Sequence, residues 1–347
     1  MIIVFAGAGA SKAVNPKNYP TTVEFFDRLP GSFNEDQLFG QIISFLRKSN
    51  ENGVGKVVDI EQVLWELNLL KQFCESTYDP NDIISWLLEP NRFNSILGIE
   101  TSSTTNVHNA IRKLSGWVNE LQDTINEQVY RLYGTEPDKS ELANNWQPLL
   151  HELAKIDPEI EIFTTNYDVI LENALEIYSE DRKNNKHLIE LGKRRRVHKI
   201  IDLDAWRTRP QRPYIRLTKL HGSVDWVNRN DDTIWCSVPK FTGNHDDHII
   251  IYPGFKGTPN EEPFYTFHSH LAETLKQSNS IVFIGFAFRD EYINALLSGT
   301  HPAAHVAIID PATTLPNCPF EKDHVSHLGL GFSEKAVSTV LMKIKNW

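Results

Sequence analysis

Cysteine is scarce in this 347-residue chain, which contains only Cys74, Cys236 and Cys318. An odd number of widely separated cysteines does not make a disulfide framework, and no two of them have the Cys-x-x-Cys spacing of a zinc knuckle. We therefore expect no bound metal, and the few cysteines fit a reducing cytosol.

The chain also lacks an excess of basic residues, because 35 Lys and Arg face 45 Asp and Glu and give a formal net charge of −10. A general electrostatic attraction to nucleic acid is therefore not expected. One basic cluster, Lys193–Arg196, lies in a polar stretch at 181–212. We interpret that stretch as a solvated loop or hairpin, the alternative being a local contact with phosphate or nucleic acid.

Long apolar runs are absent too, since no segment approaches the roughly 20 apolar residues needed to span a bilayer. The N-terminal run Met1–Ala6 is short, has no basic region and is followed by no cleavage site, so it indicates a strand rather than a signal peptide. We expect a cytoplasmic protein that does not enter a membrane. Apolar residues still make up 40% of the chain, enough for a packed core.

Short apolar runs alternate with helical patterns over much of the chain. Strands are predicted at 1–6, 160–165, 214–220, 248–252, 280–285 and 305–310, and helices at 169–178, 264–277, 290–297 and 334–345. Such alternation is typical of a parallel, doubly wound sheet. We predict an α/β fold, Rossmann-like, in a single domain over 1–347. Residues 36–150 form a large helical insertion, and 1–35 and 151–347 form the core.

Within the helical insertion, apolar residues recur every three or four positions from Val107 to Leu132, and Gly134 suits the end of that helix. A second helix is predicted after Asp59, which can cap it, with Gln62 three residues on. A long apolar stripe usually packs inside one subunit, and the alternative is a subunit interface. We expect a homo-oligomer whose contacts include this insertion.

A glycine turn follows the first strand as Gly7-x-Gly9-x-Ser11. Glycines let the backbone turn tightly and approach a phosphate, and the start of the next helix offers N–H groups to an anion. Lys12 stands where the usual dinucleotide fingerprint has its third glycine. A tight turn with a purely structural role is the alternative.

Polar side chains follow three further predicted strands. The segment Thr164–Asp168 (TTNYD) offers an amide and a carboxylate at a strand end, where open α/β sheets bind ligands, although Asn166 or Asp168 alone also suits a helix cap. In the segment Leu220–Trp226, His221 is placed to act as a base or to hold a ribose hydroxyl, although a single histidine is more often structural. After the run at 280–285, Gly285 permits close approach of a nucleotide, and we expect Asp290 to cap the following helix.

Together, these four motifs resemble the signatures of the sirtuin superfamily, specifically its bacterial SIR2-like branch. The resemblance runs from Met1 to about Asp310, interrupted by the helical insertion, and implies an NAD⁺ site. It implies that Asn166 and His221 are catalytic. The residues it implies for NAD⁺ binding are Gly7, Ala8, Gly9 and Ser11 at the phosphates, Thr165 and Asp168 at the nicotinamide end, and Gly285 and Asp310 at the adenosine end.

The chain departs from the protein deacylases of that superfamily, because three scattered cysteines cannot build their four-cysteine zinc ribbon. Members without the ribbon resemble NAD⁺ hydrolases of bacterial antiphage defence, which often work beside a HerA-like ATPase or an Argonaute. The resemblance therefore implies that NAD⁺ is a substrate, cleaved to nicotinamide and ADP-ribose. The alternatives are a protein deacylase or ADP-ribosyltransferase using the same site, and a sensor that binds NAD⁺ or ADP-ribose without turnover.

Overall fold

A computed structural model of the chain describes residues 1–29, 37–52, 58–76, 101–180, 187–191, 201–229, 233–236, 248–251, 261–315, 317–321 and 325–347. The chain divides into two compact units. The larger unit comprises Met1–Glu24, Val129–Thr242 and Asp246–Trp347, and the smaller comprises Phe25–Gln128 and Gly243–His245. The insertion boundaries of 36–150 remain a prediction.

Strands and helices alternate along the described residues. The strands are β1 (Ile2–Ala6), β2 (Glu159–Thr164), β3 (Leu188–Glu190), β4 (Tyr214–Lys219), β5 (Gly222–Arg229), β6 (Thr233–Cys236), β7 (His248–Ile250), β8 (Ser280–Ile284), β9 (His305–Ile309) and β10 (Val325–His327). The α-helices are α1 (Ala8–Val14), α2 (Gln37–Asn52), α3 (Ile60–Ser76), α4 (Thr101–Tyr133), α5 (Lys139–Leu142), α6 (Trp146–Ile156), α7 (Ile170–Glu180), α8 (Asp204–Arg207), α9 (Phe264–Gln277), α10 (Glu291–Leu297) and α11 (Glu334–Ile344).

A seven-stranded sheet forms the centre of the larger unit, in the order β10-β9-β8-β1-β2-β4-β3. Every neighbouring pair in it is parallel. Strands β2, β4 and β3 lie on one side of β1, and β8, β9 and β10 lie on the other, so the strand order reverses beside β1. This is the predicted Rossmann-like, doubly wound α/β fold, and a reversal of this kind opens a crevice at the carboxyl ends of the strands.

The central strands are buried on both faces, as the apolar runs predict. All five residues of β1 and of β8 are buried. Phe5, Phe283 and Phe286 pack together, with ring centroids 5.5 Å apart for Phe5–Phe283 and 4.6 Å for Phe5–Phe286. Aromatic packing of this kind stabilises the sheet beyond the burial of area alone.

Charged residues also lie inside this sheet. Glu161 of β2 is 1% exposed and faces Arg216 of β4, whose Nη2 lies 3.2 Å from its Oε1. Tyr214 donates its hydroxyl to the same carboxylate at 3.0 Å, and His270 Nε2 lies 3.1 Å from Glu161 Oε2. Burial and the Glu161 charge raise the pKa of Tyr214 to about 12. The carboxylate is thus compensated from three sides, which a buried charge requires.

A second sheet was not predicted. The apolar run at 248–252 forms β7, but β7 joins β5 and β6 in an antiparallel three-stranded sheet of order β6-β5-β7. Strand β5 begins directly after His221, within the motif that contains Trp226. In the stretch at 181–212, the described residues include β3 and α8, and the basic cluster Lys193–Arg196 lies outside the described residues.

The long helix predicted from Val107 to Leu132 is α4, and the Gly134 N–H bonds the Tyr130 carbonyl at 2.9 Å where it ends. Its stripe is buried within the single chain at Ile111, Val118, Leu121, Ile125 and Val129. The intramolecular interpretation is confirmed at these positions, and their burial means that they do not indicate a subunit interface. The cap at Asp59 is also confirmed, since its Oδ1 accepts the Gln62 N–H at 3.0 Å.

Among the described helices, none combines the length and the apolar character needed to cross a membrane.

Candidate active site

The glycine turn after β1 packs against the turn after β8. Gly7 donates its N–H to Ile284 O at 2.9 Å, and Gly9 donates to Gly285 O at 3.0 Å. A Cβ on Gly9 would lie 2.8 Å from the Gly285 Cα, and one on Gly7 would lie 2.5 Å from the Gly285 oxygen. Gly285 has φ +56°, and a Cβ there would lie 2.3 Å from Ala10 N. The chain itself therefore needs glycine at all three positions.

The hydrogen bonds of the glycine turn are relevant to whether its N–H groups can bind a phosphate. The N–H groups of Gly7, Gly9 and Ala10 already bond carbonyl oxygens of the protein, the last one at 2.9 Å to Gly7. Ala8, half-buried, begins α1 between these bonded positions. The structural role that was the alternative for this turn is thus present, and phosphate binding by the turn stays a prediction.

Side chains from the TTNYD segment bond directly to the glycine turn. Asn166 Nδ2 donates to Gly7 O at 2.9 Å and to Ser11 Oγ at 2.8 Å. Ser11 in turn donates to Asp168 Oδ2 at 2.6 Å. Asp168 Oδ1 accepts the Ile170 N–H at 3.0 Å, so it also caps the next helix. Asn166, Ser11 and Asp168 are each less than 9% exposed.

Burial dominates the electrostatics of Asp168. It raises the pKa of this carboxyl group above the ordinary value, while the nearby Lys219 charge and the Ser11 hydrogen bond act in the opposite direction. Thr165, the neighbouring predicted site residue, is half-buried at the same strand end.

Lys219, the last residue of β4, joins the TTNYD segment to the segment around His221. Its Nζ donates to Ser223 Oγ at 2.8 Å and to the Asp168 carbonyl oxygen. It also lies 3.1 Å from the Glu172 carboxylate, and its side chain is 3% exposed. Nζ also donates to the Tyr167 carbonyl oxygen at 3.4 Å, and a buried ammonium with these four oxygen partners fixes the relative positions of the two loops. Sequence reasoning did not identify Lys219 as part of the site.

His221 lies where β4 gives way to the antiparallel sheet and is 2% exposed. Its Nε2 is 3.0 Å from Asp290 Oδ2. Gly222, with φ +85°, allows the sharp turn after it, because a Cβ there would lie 2.0 Å from the Ile249 oxygen. The turn keeps the imidazole at the carboxyl edge of the sheet.

Asp290 has two roles. The expected cap is confirmed, since its Oδ1 accepts the Ile293 N–H at 2.9 Å at the start of α10. Its second oxygen pairs with His221, which sequence reasoning missed because the two residues are 69 positions apart. Burial alone would raise the pKa of Asp290, but the hydrogen bond and charge of His221 hold it below its ordinary value.

A second buried imidazole, His268 of α9, lies beside this pair and was not predicted. Its ring centroid is 6.5 Å from that of His221 and 5.3 Å from that of Tyr292. Burial, and then the neighbouring His221, lower the pKa of His268 to about 4, against an opposing effect of Asp290. His268 is therefore neutral near neutral pH.

Asp310 follows β9, two strands from β1. It is half-buried, and its Oδ1 accepts the Ala312 N–H at 2.8 Å in a local turn. Among the described residues, the hydrogen bonds that join Asn166, Ser11 and Asp168 do not include the Asp310 side chain.

Similarity to known proteins covers much of this site. Residues 160–307 match the family model of the SIR2-like domain. The SIR2-like segment includes Asn166, Asp168, His221 and Asp290, whereas the glycine turn and Asp310 lie outside it. No curated protein matches the chain in sequence.

The chain also resembles solved Sir2 structures. One is a mutant Sir2 homologue in complex with 2′-O-acetyl-ADP-ribose, with 12% identity, a TM-score of 0.43 and coverage of 99% of this chain and 92% of that chain. Another is Sir2 with a p53 peptide and NAD⁺, with 10% identity, a TM-score of 0.41 and coverage of 100% of this chain and 94% of that chain. At these scores the likeness adds nothing to what the sheet topology itself shows.

Five of the predicted site residues thus lie in two groups at the edge of the sheet. Gly7, Ser11, Asn166 and Asp168 form one hydrogen-bonded network, and His221 forms a pair with Asp290 in the SIR2-like segment. The described residues contain no cluster of three or more His, Cys, Asp or Glu side chains arranged to hold a metal ion.

Proposed function

We propose that this chain is a member of the sirtuin superfamily that binds NAD⁺ at the carboxyl edge of its parallel sheet and hydrolyses the nicotinamide–ribose bond. The observation that carries the proposal is the gathering of an amide, two carboxylates and an imidazole at the ends of strands near β1. These groups are Asn166, Asp168, Asp290 and His221. Ligands of open α/β sheets bind where the strand order reverses, which here is beside β1.

The chemistry needs few protein groups. Cleavage of an N-glycosidic bond passes through an oxocarbenium-like state, as in glycoside hydrolysis. Nicotinamide leaves from a cationic ring, so no strong acid is required. Asn166 orients the ribose and the attacking water, and His221 holds a ribose hydroxyl or accepts its proton. The products are nicotinamide and ADP-ribose.

Hydrolysis is favoured over deacylation by the cysteines. The zinc ribbon of the deacylases is held by four cysteines, and the chain has three cysteines in all, with Cys74 buried in α3 and Cys318 in a loop. The zinc site of the deacylases therefore does not fit this chain. In its cell the enzyme would drain NAD⁺ as an antiphage effector, beside a partner such as a HerA-like ATPase or an Argonaute, as the resemblance to the SIR2-like branch implies.

The test is incubation of the purified protein with NAD⁺, following nicotinamide release by chromatography with and without an acyl-lysine peptide. We expect release without the peptide. His221→Ala is expected to lower the rate by about 10²-fold or more, the usual loss for a positioned acid–base group. Asn166→Ala is expected to lower it by about 10²-fold or more through loss of a positioned hydrogen-bonding amide. His301→Ala, at an exposed histidine, is the matched control and should keep the wild-type rate.

Three results would contradict the proposal. Release that requires the peptide would indicate a deacylase, and binding measured by calorimetry without release would indicate a sensor. Near-normal turnover by a folded Asn166→Ala or His221→Ala protein would place the chemistry elsewhere.

A further inference from the structure

The two ring nitrogens of His221 have different surroundings. Nε2 lies 3.0 Å from Asp290 Oδ2, in a pair whose side chains are 3% and 12% exposed. Nδ1 is buried and has no hydrogen-bond partner within the part of the chain that the structure describes. Buried polar atoms are normally paired, so Nδ1 is available to a group that the protein does not itself supply.

Asp290 is held in place independently of His221. Its Oδ1 accepts the Ile293 N–H at 2.9 Å as the cap of α10, so the carboxylate is oriented by the helix. Although burial alone would raise its pKa, the hydrogen bond and charge of His221, together with the Ile293 N–H, keep that pKa below the ordinary value. The group is therefore ionised near neutral pH, and an ionised carboxylate can only accept hydrogen bonds.

An ionised Asp290 determines which nitrogen of His221 carries the proton. Nε2 must donate to the carboxylate, and a neutral imidazole has one donor and one acceptor, so Nδ1 bears the lone pair. We propose that Asp290 is a positioning residue, which holds His221 as the Nε2–H tautomer so that Nδ1 accepts the hydrogen bond of the ribose hydroxyl or water. The role of Nδ1 in catalysis rests on the proposed function, but the tautomer does not.

The other groups around His221 are compatible with this assignment. The Tyr167 ring centroid is 6.4 Å away and the His268 ring centroid is 6.5 Å away. His268 is neutral near neutral pH. When Nδ1 takes the hydroxyl proton, the oxygen keeps the electron pair, and the positive charge on the imidazolium lies against the Asp290 carboxylate.

The tautomer is tested by NMR of protein carrying isotope-labelled histidine ring nitrogens. The chain has 13 histidines, so the His221 signals are assigned by their absence in His221→Gln. We expect the neutral imidazole of the wild type to carry its proton on Nε2, with Nδ1 unprotonated. Asp290→Asn should disturb this preference, because an amide can present its NH₂ group to Nε2. A wild-type His221 with its proton on Nδ1 would overturn the proposal, whether or not the protein turns over NAD⁺.

The kinetic test uses the same variant. Asparagine caps helices about as well as aspartate, so Asp290→Asn should keep the fold, as checked by circular dichroism. We expect kcat for NAD⁺ to fall by at least about 10²-fold with KM changed less than about threefold, the pattern of a lost transition-state interaction. Asp59→Asn makes the same substitution at a helix cap of the smaller unit and should leave kcat unchanged.

The outcomes separate this proposal from the proposed function. If the wild type hydrolyses NAD⁺ and a folded Asp290→Asn protein keeps kcat within about threefold, Asp290 does not position the reacting histidine. If the wild type shows no turnover but has the expected tautomer, and Asp290→Asn alters it, the hydrolase is rejected and the positioning of His221 by Asp290 is supported.

Discussion

Two imidazoles in the SIR2-like segment have opposite surroundings. His221 and His268 are each 2% exposed. His221 pairs with a carboxylate that helix α10 holds in place, whereas the ring of His268 lies near the rings of His221 and Tyr292. One ring is thus paired with a carboxylate, and burial keeps the other neutral near neutral pH.

The neutral state of His268 predicts a dependence of stability on pH. Burial and His221 lower its pKa from 6.5 to about 4 in the folded protein, next to Asp290 and Tyr292. The unfolded chain therefore takes up a proton at His268 below pH 6.5, whereas the folded protein does not take it up until about pH 4. This lowers the free energy of unfolding by up to about 3 kcal/mol as the pH falls through that window, and costs nothing above it.

His268→Phe removes the titrating group while keeping an apolar ring of similar size. We expect the variant to lose less stability than the wild type between pH 6.5 and 4, as measured by urea unfolding at several pH values. His301→Phe, at an exposed histidine, should retain the wild-type slope. Equal slopes for His268→Phe and the wild type would show that His268 does not resist protonation in the folded state.

The sequence indicates single residues better than it indicates their partners. Asp290 is predicted as a cap from its place before a helical pattern, and that prediction is confirmed. Its pairing with His221 depends on the spatial order of the strands, which local sequence does not contain. His268 lies in a helix whose pattern reads as ordinary core, so nothing in the sequence distinguishes it from a packing residue.

At the scale of elements, the loops after β2 and β4 are joined by one buried cation. Lys219 bonds the Asp168 carbonyl and Ser223, and it pairs with Glu172 of α7 at 3.1 Å. The desolvation of such a pair is costly, so its presence is weak evidence for stability by itself. Removing one partner of the pair is destabilising, because the buried charge that remains then loses the opposite charge beside it.

Lys219→Met is therefore expected to lower the free energy of unfolding by about 3–5 kcal/mol, since the Glu172 carboxylate loses its cation. Adding Glu172→Gln should restore part of that loss, as urea denaturation of the two single variants and the double variant can show. Lys139→Met breaks the exposed pair with Glu180 and should change stability by no more than about 1 kcal/mol. Additive losses in the double variant would mean that the two side chains do not interact energetically.

The elements themselves were predictable where the apolar runs are long and clearly periodic. Helix α9 matches its predicted bounds, and β8 and β9 each end one residue before the predicted end. The antiparallel sheet was missed because β5, Gly222–Arg229, mixes polar and apolar residues, and because β6 and β7 span only four and three residues. Alternating apolar runs predict that a strand exists, but they do not say which strand it will join.

At the scale of the whole molecule, the chain has two compact units, and the smaller one carries exposed apolar side chains. Phe45 of α2 is 68% exposed, and Leu69 and Phe73 of α3 are 36% and 44% exposed. Leu69 and Phe73 are four residues apart and so share one face of their helix. Single exposed apolar residues are common on protein surfaces, whereas large contiguous apolar patches mark interfaces.

The apolar stripe of α4 is buried in the single chain at its described core positions, so Phe45, Leu69 and Phe73 are the apolar side chains left, among the described residues of the smaller unit, to mediate self-association. We expect the purified protein to form a homo-oligomer through the helices of the smaller unit, because assembly would cover Leu69 and Phe73. Light scattering at micromolar concentration should give a multiple of the 39.7 kDa chain mass. Phe73→Glu places a charge in the interface and should reduce the mass to that of one chain, whereas Met342→Glu, at a similarly exposed apolar residue of α11, should not. A wild-type protein that scatters as a single chain, with and without NAD⁺, would show that these side chains are surface residues without a partner copy.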